Sequence, residues 1–148
     1  VIHSTKYNFV FIKAEEIFGV KPHWITKQEQ VVISDMERTV IDGLRRPEYC
    51  GGIAEVAKGL WMRHDDIKVE KLFQYATRLK VGAVIRRLGY LLELYGLATT
   101  ENLNRLRSGL TKTYDLLDPV LPRGGRHVAS WRLQLNVSPA ELDLIRRT

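Results

Sequence analysis

Cysteine is the scarcest chemistry here: Cys50 stands alone in 148 residues, so the chain can form no internal disulfide and build no metal site from paired thiolates. No apolar run approaches the roughly 20 residues that span a bilayer, and the opening VIHSTKYNF lacks the basic-then-apolar order of a signal peptide. These absences point to a reducing, cytoplasmic setting. Catalytic signatures are missing as well. The chain has no G-x-S-x-G, no Walker-type glycine loop, no H-E-x-x-H and no G-x-G-x-x-G. His3, His23, His64 and His127 fall at no metal-ligand spacing, and His64-Asp65-Asp66 reads as a solvated turn. No catalytic, cofactor-binding or metal residue is therefore expected. Cys50, ahead of Gly51-Gly52 and a helix start, reads as a small apolar filler; a thiol activated by the helix N-terminus is the alternative.

What the chain does have is an uneven charge. The net +6 sits entirely between residues 78 and 132. That segment carries Arg78, Lys80, Arg86, Arg87, Arg105, Arg107, Lys112, Arg123, Arg126 and Arg132 against Glu93, Glu101, Asp115 and Asp118, whereas the flanking segments balance. Clustered Lys and Arg are what phosphate contacts require; a solvated set of helix faces is the blander reading. The candidate nucleic-acid-binding residues are Arg78, Lys80, Arg86, Arg87, Arg105, Arg107 and Lys112.

Local patterns predict an α+β fold in a single domain over 1–148: a small antiparallel sheet on the N-terminal side, a helical middle, a late strand and a short C-terminal helix. Residues 7–13 (YNFVFIK) read as a strand with both faces covered, and residues 20–27 and 30–34 as two more, forming a hairpin about Gln28-Glu29. Ser34 and Glu37 read as a capping box opening a helix that buries Met36, Val40, Ile41 and Leu44, pairs Arg38 with Asp42 and stops at Pro47. A second helix follows Gly51-Gly52, with Ile53, Val56, Ala57, Leu60 and Trp61 inward, and a third places Leu72, Phe73, Ala76 and Leu79 on one side.

Residues 81–95 (VGAVIRRLGYLLELY) form the central helix. Val81, Val84, Ile85, Leu88, Leu91, Leu92 and Tyr95 recur at helical spacing, while Gly82 and Gly89 mark close approaches and Gly96 a left-handed cap. Arg86 and Arg87 lie off this stripe and must meet solvent, a carboxylate or a polyanion. A short helix after Thr99-Thr100 and a strand at 114–117 precede a glycine-containing loop flanked by Arg123 and Arg126, read as mobile and basic. Residues 129–135 alternate, with Trp131, Leu133 and Leu135 inward and Arg132 and Gln134 outward. Ser138-Pro139-Ala140-Glu141 reads as a second capping box.

Three runs, ISDMERTVIDGL (33–44), P-x-x-C-G-G-I-A-E-V (47–56) and AVIRRLGYLLE (83–93), followed by SWRLQLN (130–136), resemble the C-terminal domain of AbiEi-type antitoxins, transcriptional regulators of type IV toxin-antitoxin (abortive infection, phage resistance) systems. The resemblance covers residues 7–136. It implies a bacterial protein with an upstream winged helix-turn-helix domain for operator DNA, and the chain, opening at Val1, starts where that domain would end. It also implies action against a nucleotidyltransferase-like toxin with no stable complex required, and help in DNA binding from a basic surface. Three readings follow: a regulatory domain touching DNA; a protein-interaction domain marked by exposed apolar surface around a residue such as Trp24 or Trp61; and a toxin-modifying enzyme marked by a deep pocket with a perturbed carboxylate.

Overall fold

A computed structural model describes residue 4 and residues 6–147. The fold is α+β: six α-helices, a two-stranded antiparallel hairpin near the N-terminus and a small mixed sheet late in the chain, followed by a short terminal helix. The hairpin joins β1 (Val20–Trp24) to β2 (Gln30–Ser34), with Pro22 opposite Val32. The helices are α1 (Met36–Arg45), α2 (Ile53–Met62), α3 (Val69–Leu79), α4 (Gly82–Tyr95), α5 (Thr100–Ser108) and α6 (Pro139–Leu144). β3 (Asp115–Leu116) runs parallel to β5 (Leu133–Leu135), which pairs antiparallel with β4 (Arg126–Val128).

α4 is the axis of the core. Val84, Leu88, Leu91 and Leu92 are wholly buried and Tyr95 nearly so, as the apolar spacing requires. Gly89 faces the Trp131 ring, which occupies the space a side chain would take, and Gly96 ends the helix in the left-handed conformation at φ +66°. α1 packs against α4 through Ile41 and Leu44, and its Gly43 lets Val56 of α2 come close. The late sheet is tied to α2 by Asp118. Its Oδ2 accepts from the Ile53 amide at 2.8 Å, placing a carboxylate at a helix N-terminus, while Asn136 holds the Asp118 backbone through its N–H and its carbonyl. No helix among the described residues is long and apolar enough to cross a membrane.

Five local expectations need correction. Residues 7–13 make no strand: β-forming side chains need a partner edge, and here Phe9 and Phe11 stand 87% and 99% exposed. Asp35, not Ser34, caps α1, because its carboxylate accepts from the Arg38 amide at 2.8 Å while Ser34 still belongs to β2. Glu37, itself buried, therefore reaches across to the start of α3, accepting from the Lys68 amide at 2.9 Å and from Lys71. Ser138 makes no side-chain cap bond; Pro139 alone starts α6, where its missing N–H costs nothing. Trp131 lies in the turn before β5, and β4 forms directly after the breaker residues that read as loop alone.

Candidate nucleic-acid interface

Arg86 and Arg87 are not surface residues. Both are at least 95% buried, and their guanidiniums bond inside the protein, the Arg86 Nε alone among their nitrogens lying buried without a partner among the described residues. Arg86 donates to Asp115 Oδ2 at 2.8 Å, to Thr111 Oγ1 at 2.7 Å and to Thr113 Oγ1 at 3.1 Å. Arg87 donates to the Leu44 carbonyl at 2.7 Å and, through two nitrogens, to the Leu116 carbonyl. Burial pushes the Arg87 pKa down from its ordinary value, against the pull of Asp115 and Asp118. Both are thus withdrawn from the set of candidate DNA contacts. Their spacing off the apolar stripe is real, but it turns them toward a carboxylate and toward carbonyls, not toward solvent. They fasten residues 111–116 to α4, and Arg87 also fastens α1.

Arg107 is half-buried and already paired, hydrogen-bonded to the exposed Glu93 and lying 4.4 Å over the Trp131 ring. Arg78 is exposed with its guanidinium 4.3 Å from the Phe18 ring centroid, whose other cation is the buried Arg38 at 4.4 Å. Lys80, in the left-handed conformation at φ +56°, Arg105 and Lys112 are exposed and in no ion pair among the described residues. Lys80 ends α3 and Arg105 sits on α5, where it borders a shallow cleft with Phe73 and Thr77 of α3. Lys112 precedes β3. The candidate residues therefore do not converge on one face of α4.

The segment that Arg86 and Arg87 fasten presents a different basic group. Tyr114, 40% exposed, meets the His127 ring edge-on at 5.2 Å, and the Arg132 guanidinium lies 5.6 Å from its ring centroid. Arg132 has φ +51°, a conformation uncommon for a residue with a Cβ, so its side chain departs from simple strand alternation and turns over Tyr114. A cleft of about 300 Å³ opens here, bordered by Arg87, Tyr114, Asp115, Arg123, His127 and Gln134 among others. Arg123 and Arg132 have no carboxylate partner among the described residues, and Asp115 is already held by Arg86. Arg126 is one residue away, on the neighbouring cleft beside Leu135. Unpaired arginines around an exposed aromatic ring offer charge to a phosphate and a stacking face to a base. The sequence signal for this group was the arginine-flanked loop and the outward position of Arg132; the tyrosine and histidine gave none.

A second polar cluster lies at the start of α1. Lys71 bridges Asp35 at 2.9 Å and Glu37 at 3.1 Å, and Tyr75 donates to Asp35 at 2.8 Å. Burial pushes both carboxyls up, but the hydrogen bonds they accept outweigh it, and both pKa values end below the usual range. The Asp35 hydrogen bond, above all, holds the Lys71 ammonium above its ordinary value. Carboxylates held ionised in this way serve as structural anchors; a general acid needs the opposite shift. Cys50 is exposed and not a core filler, and burial of its sulfur, with Glu48 and Asp42 nearby, pushes the thiol pKa up, which disfavours the reactive thiolate. Among the described residues no cluster of His, Cys, Asp and Glu is placed to hold a metal ion. No protein-family model, curated protein or solved structure matches the chain.

Proposed function

We propose that this chain is the antitoxin domain of a type IV toxin-antitoxin system: a cytoplasmic bacterial regulator that counteracts a nucleotidyltransferase-like toxin and helps hold operator DNA through a basic surface. The resemblance supports the family reading, and the three runs that carry it pack together in space. Arg87 of the third run donates to Leu44 of the first, and Gly43 of the first lies against Val56 of the second. The DNA contact rests on one observation: Arg132 and His127 lie against Tyr114 and Arg123 borders the same cleft, whose acid Asp115 is already paired with Arg86. Sequence choice belongs to an upstream winged helix; this surface supplies backbone contacts.

The test is a titration of the chain with operator and scrambled duplexes at several salt concentrations. Binding should be weak and sequence-indifferent, with dissociation constants of roughly 10⁻⁴ to 10⁻⁶ M, and each true phosphate contact removed should lower the log-log salt slope by about one. The double variant Arg123→Ala/Arg132→Ala should flatten the slope, while Arg78→Ala/Lys80→Ala and Arg105→Ala/Lys112→Ala report whether the flanking cations take part. No binding at low salt, or an unchanged slope in the first double variant, removes the DNA contact. The runner-up is a protein-interaction domain without DNA contact, and it has its own support: Trp24 is 60% exposed on the hairpin. In that case toxin neutralisation in cells would follow Trp24 and ignore the arginines.

A further inference from the structure

Among the described residues the hairpin is a two-stranded sheet whose two free edges are not equivalent. Its register pairs Lys21 with Ile33 and His23 with Val31, the Ile25 amide donates to the Glu29 carbonyl at 2.9 Å, and the Asp35 amide donates to Gly19 at 2.8 Å. Odd-numbered residues thus spend their backbone groups within the hairpin. By the alternation of an antiparallel ladder, Val20, Pro22 and Trp24 on β1 and Gln30, Val32 and Ser34 on β2 turn theirs outward. On β1 the central outward residue is a proline with no N–H, so that edge cannot be extended. On β2 every outward residue keeps both its donor and its acceptor. The strand QVVIS is uncharged and rich in β-branched residues, and Val32 is 69% exposed.

We propose that β2 is a dimerisation strand, two copies of the chain pairing their β2 edges antiparallel about a two-fold axis at Val32 to give the sheet order β1-β2-β2-β1. A second copy fits this edge for three reasons. Centred on Val32, the strand is self-complementary: Val31 meets Ile33 and Gln30 meets Ser34 across the axis, so two chains of net charge +6 meet along a strip that opposes no like charges. Pairing closes on itself, because Pro22 stands on each outer edge and stops further addition, as a two-fold contact requires. An edge alone buries less than the roughly 1,000 Å² of a stable interface, and the missing area is to hand. Val10, Phe11 and Ile12 border the same cleft as Ser34. Pairing Ser34 with Gln30 of the second copy brings that copy's Trp24, opposite its Gln30, to the Ser34 side of the joined sheet, and the exposed Phe11 borders the cleft that Ser34 lines.

The experiment is analytical ultracentrifugation of the chain over a wide concentration series, with Val32→Lys, Val32→Glu and Val32→Pro. Val32 lies opposite Pro22 and makes no ladder hydrogen bond within the hairpin, so each change spares the fold, which circular dichroism checks. The wild-type chain should dimerise and Val32→Pro should be monomeric. The Lys and Glu variants should each be monomeric alone and should form a one-to-one dimer when mixed, a rescue that only a contact of residue 32 with its own copy allows. A wild-type chain that stays monomeric at every concentration, a dimer that survives all three substitutions, or a Lys and Glu mixture that does not associate overturns the proposal. None of these outcomes bears on the salt dependence of DNA binding.

Discussion

Gly89→Ala should destabilise this protein, although the same change in a helix normally stabilises it. A Cβ at position 89 would lie 2.1, 2.3 and 2.6 Å from Cζ3, Cη2 and Cε3 of Trp131. Carbon atoms rest about 3.5 to 4.0 Å apart, so the indole must retreat by more than about 1 Å. It has nowhere to go. Trp131 is fully buried, its Nε1–H donates to Glu93 Oε2 at 2.5 Å, and Arg107 covers its ring. Overpacking of this kind costs about 1 to 3 kcal/mol, and helix propensity returns about 1 kcal/mol of it. With the collision falling on a fixed ring, a net loss of about 2 kcal/mol is expected, read as a lower urea midpoint by circular dichroism and tryptophan fluorescence. Gly59→Ala is the internal control. That glycine lies inside α2 with nothing within 4 Å of its virtual Cβ, so the substitution should gain up to about 1 kcal/mol. In a Trp131→Leu background the ring is gone and the Gly89→Ala penalty should vanish. A Gly89→Ala midpoint at or above wild type, or a penalty that persists without the indole, would refute the close contact.

Two further outcomes follow from the buried charges. Arg87→Met should cost at least about 3 kcal/mol, since it leaves the Leu44 and Leu116 carbonyls unpaired in the interior; equilibrium unfolding measures this, and a loss under about 1 kcal/mol would show that water replaces the guanidinium. Asp35 and Glu37 have folded pKa values below their unfolded ones, so their contribution is present above the unfolded values of roughly 4 and is lost as pH falls through the depressed folded values. Urea midpoints taken from pH 5 downward should therefore drop on the acid side, and Lys71→Met, which removes a shared donor, should flatten that drop; an acid limb unchanged in this variant would mean Lys71 does not hold the pair.

The helical core was readable because its signal is periodic and redundant: the α4 stripe names Leu88, Leu91 and Leu92 several times over, and each is wholly buried. The glycine at 89 was legible as a close approach, but its partner Trp131 lies 42 residues away and could not be named. Strands fared less well. Residues 7–13 carry strong β-formers and form no strand, because strand formation is a property of two edges and one sequence window holds only one. The capping error at Ser34 has the same origin: Ser34 and Asp35 are both good caps, and the hairpin register, which keeps Ser34 paired with Val20, decided between them. For the site, charge segregation was visible in the sequence but the direction of each arginine was not. Direction depends on where Asp115 and the carbonyls of Leu44 and Leu116 arrive in space.

Burying Arg86 and Arg87 does not erase the basic surface, because ion pairing occupies acids along with bases. Arg86 takes Asp115 and Arg107 takes Glu93, while Asp118 is buried against the start of α2. Of the four acidic residues between 78 and 132, only Glu101 remains without such a role. Facing it are Arg78, Lys80, Arg105, Lys112, Arg123, Arg126 and Arg132, all at least partly open to solvent. The segment's outward charge is therefore more one-sided than its sequence total, and α4 has a double part in producing it. Its Arg86 holds a carboxylate that would otherwise be open to the outer cations, and Arg86 and Arg87 together pin the 111–116 segment that positions Tyr114. Replacing Arg86 by Met should then free Asp115 toward Arg123 and His127 across the cleft, weakening the proposed DNA binding without removing any surface cation. A salt slope in Arg86→Met equal to that of the wild-type chain, with the fold intact, would show that the cleft owes nothing to the sequestered acid.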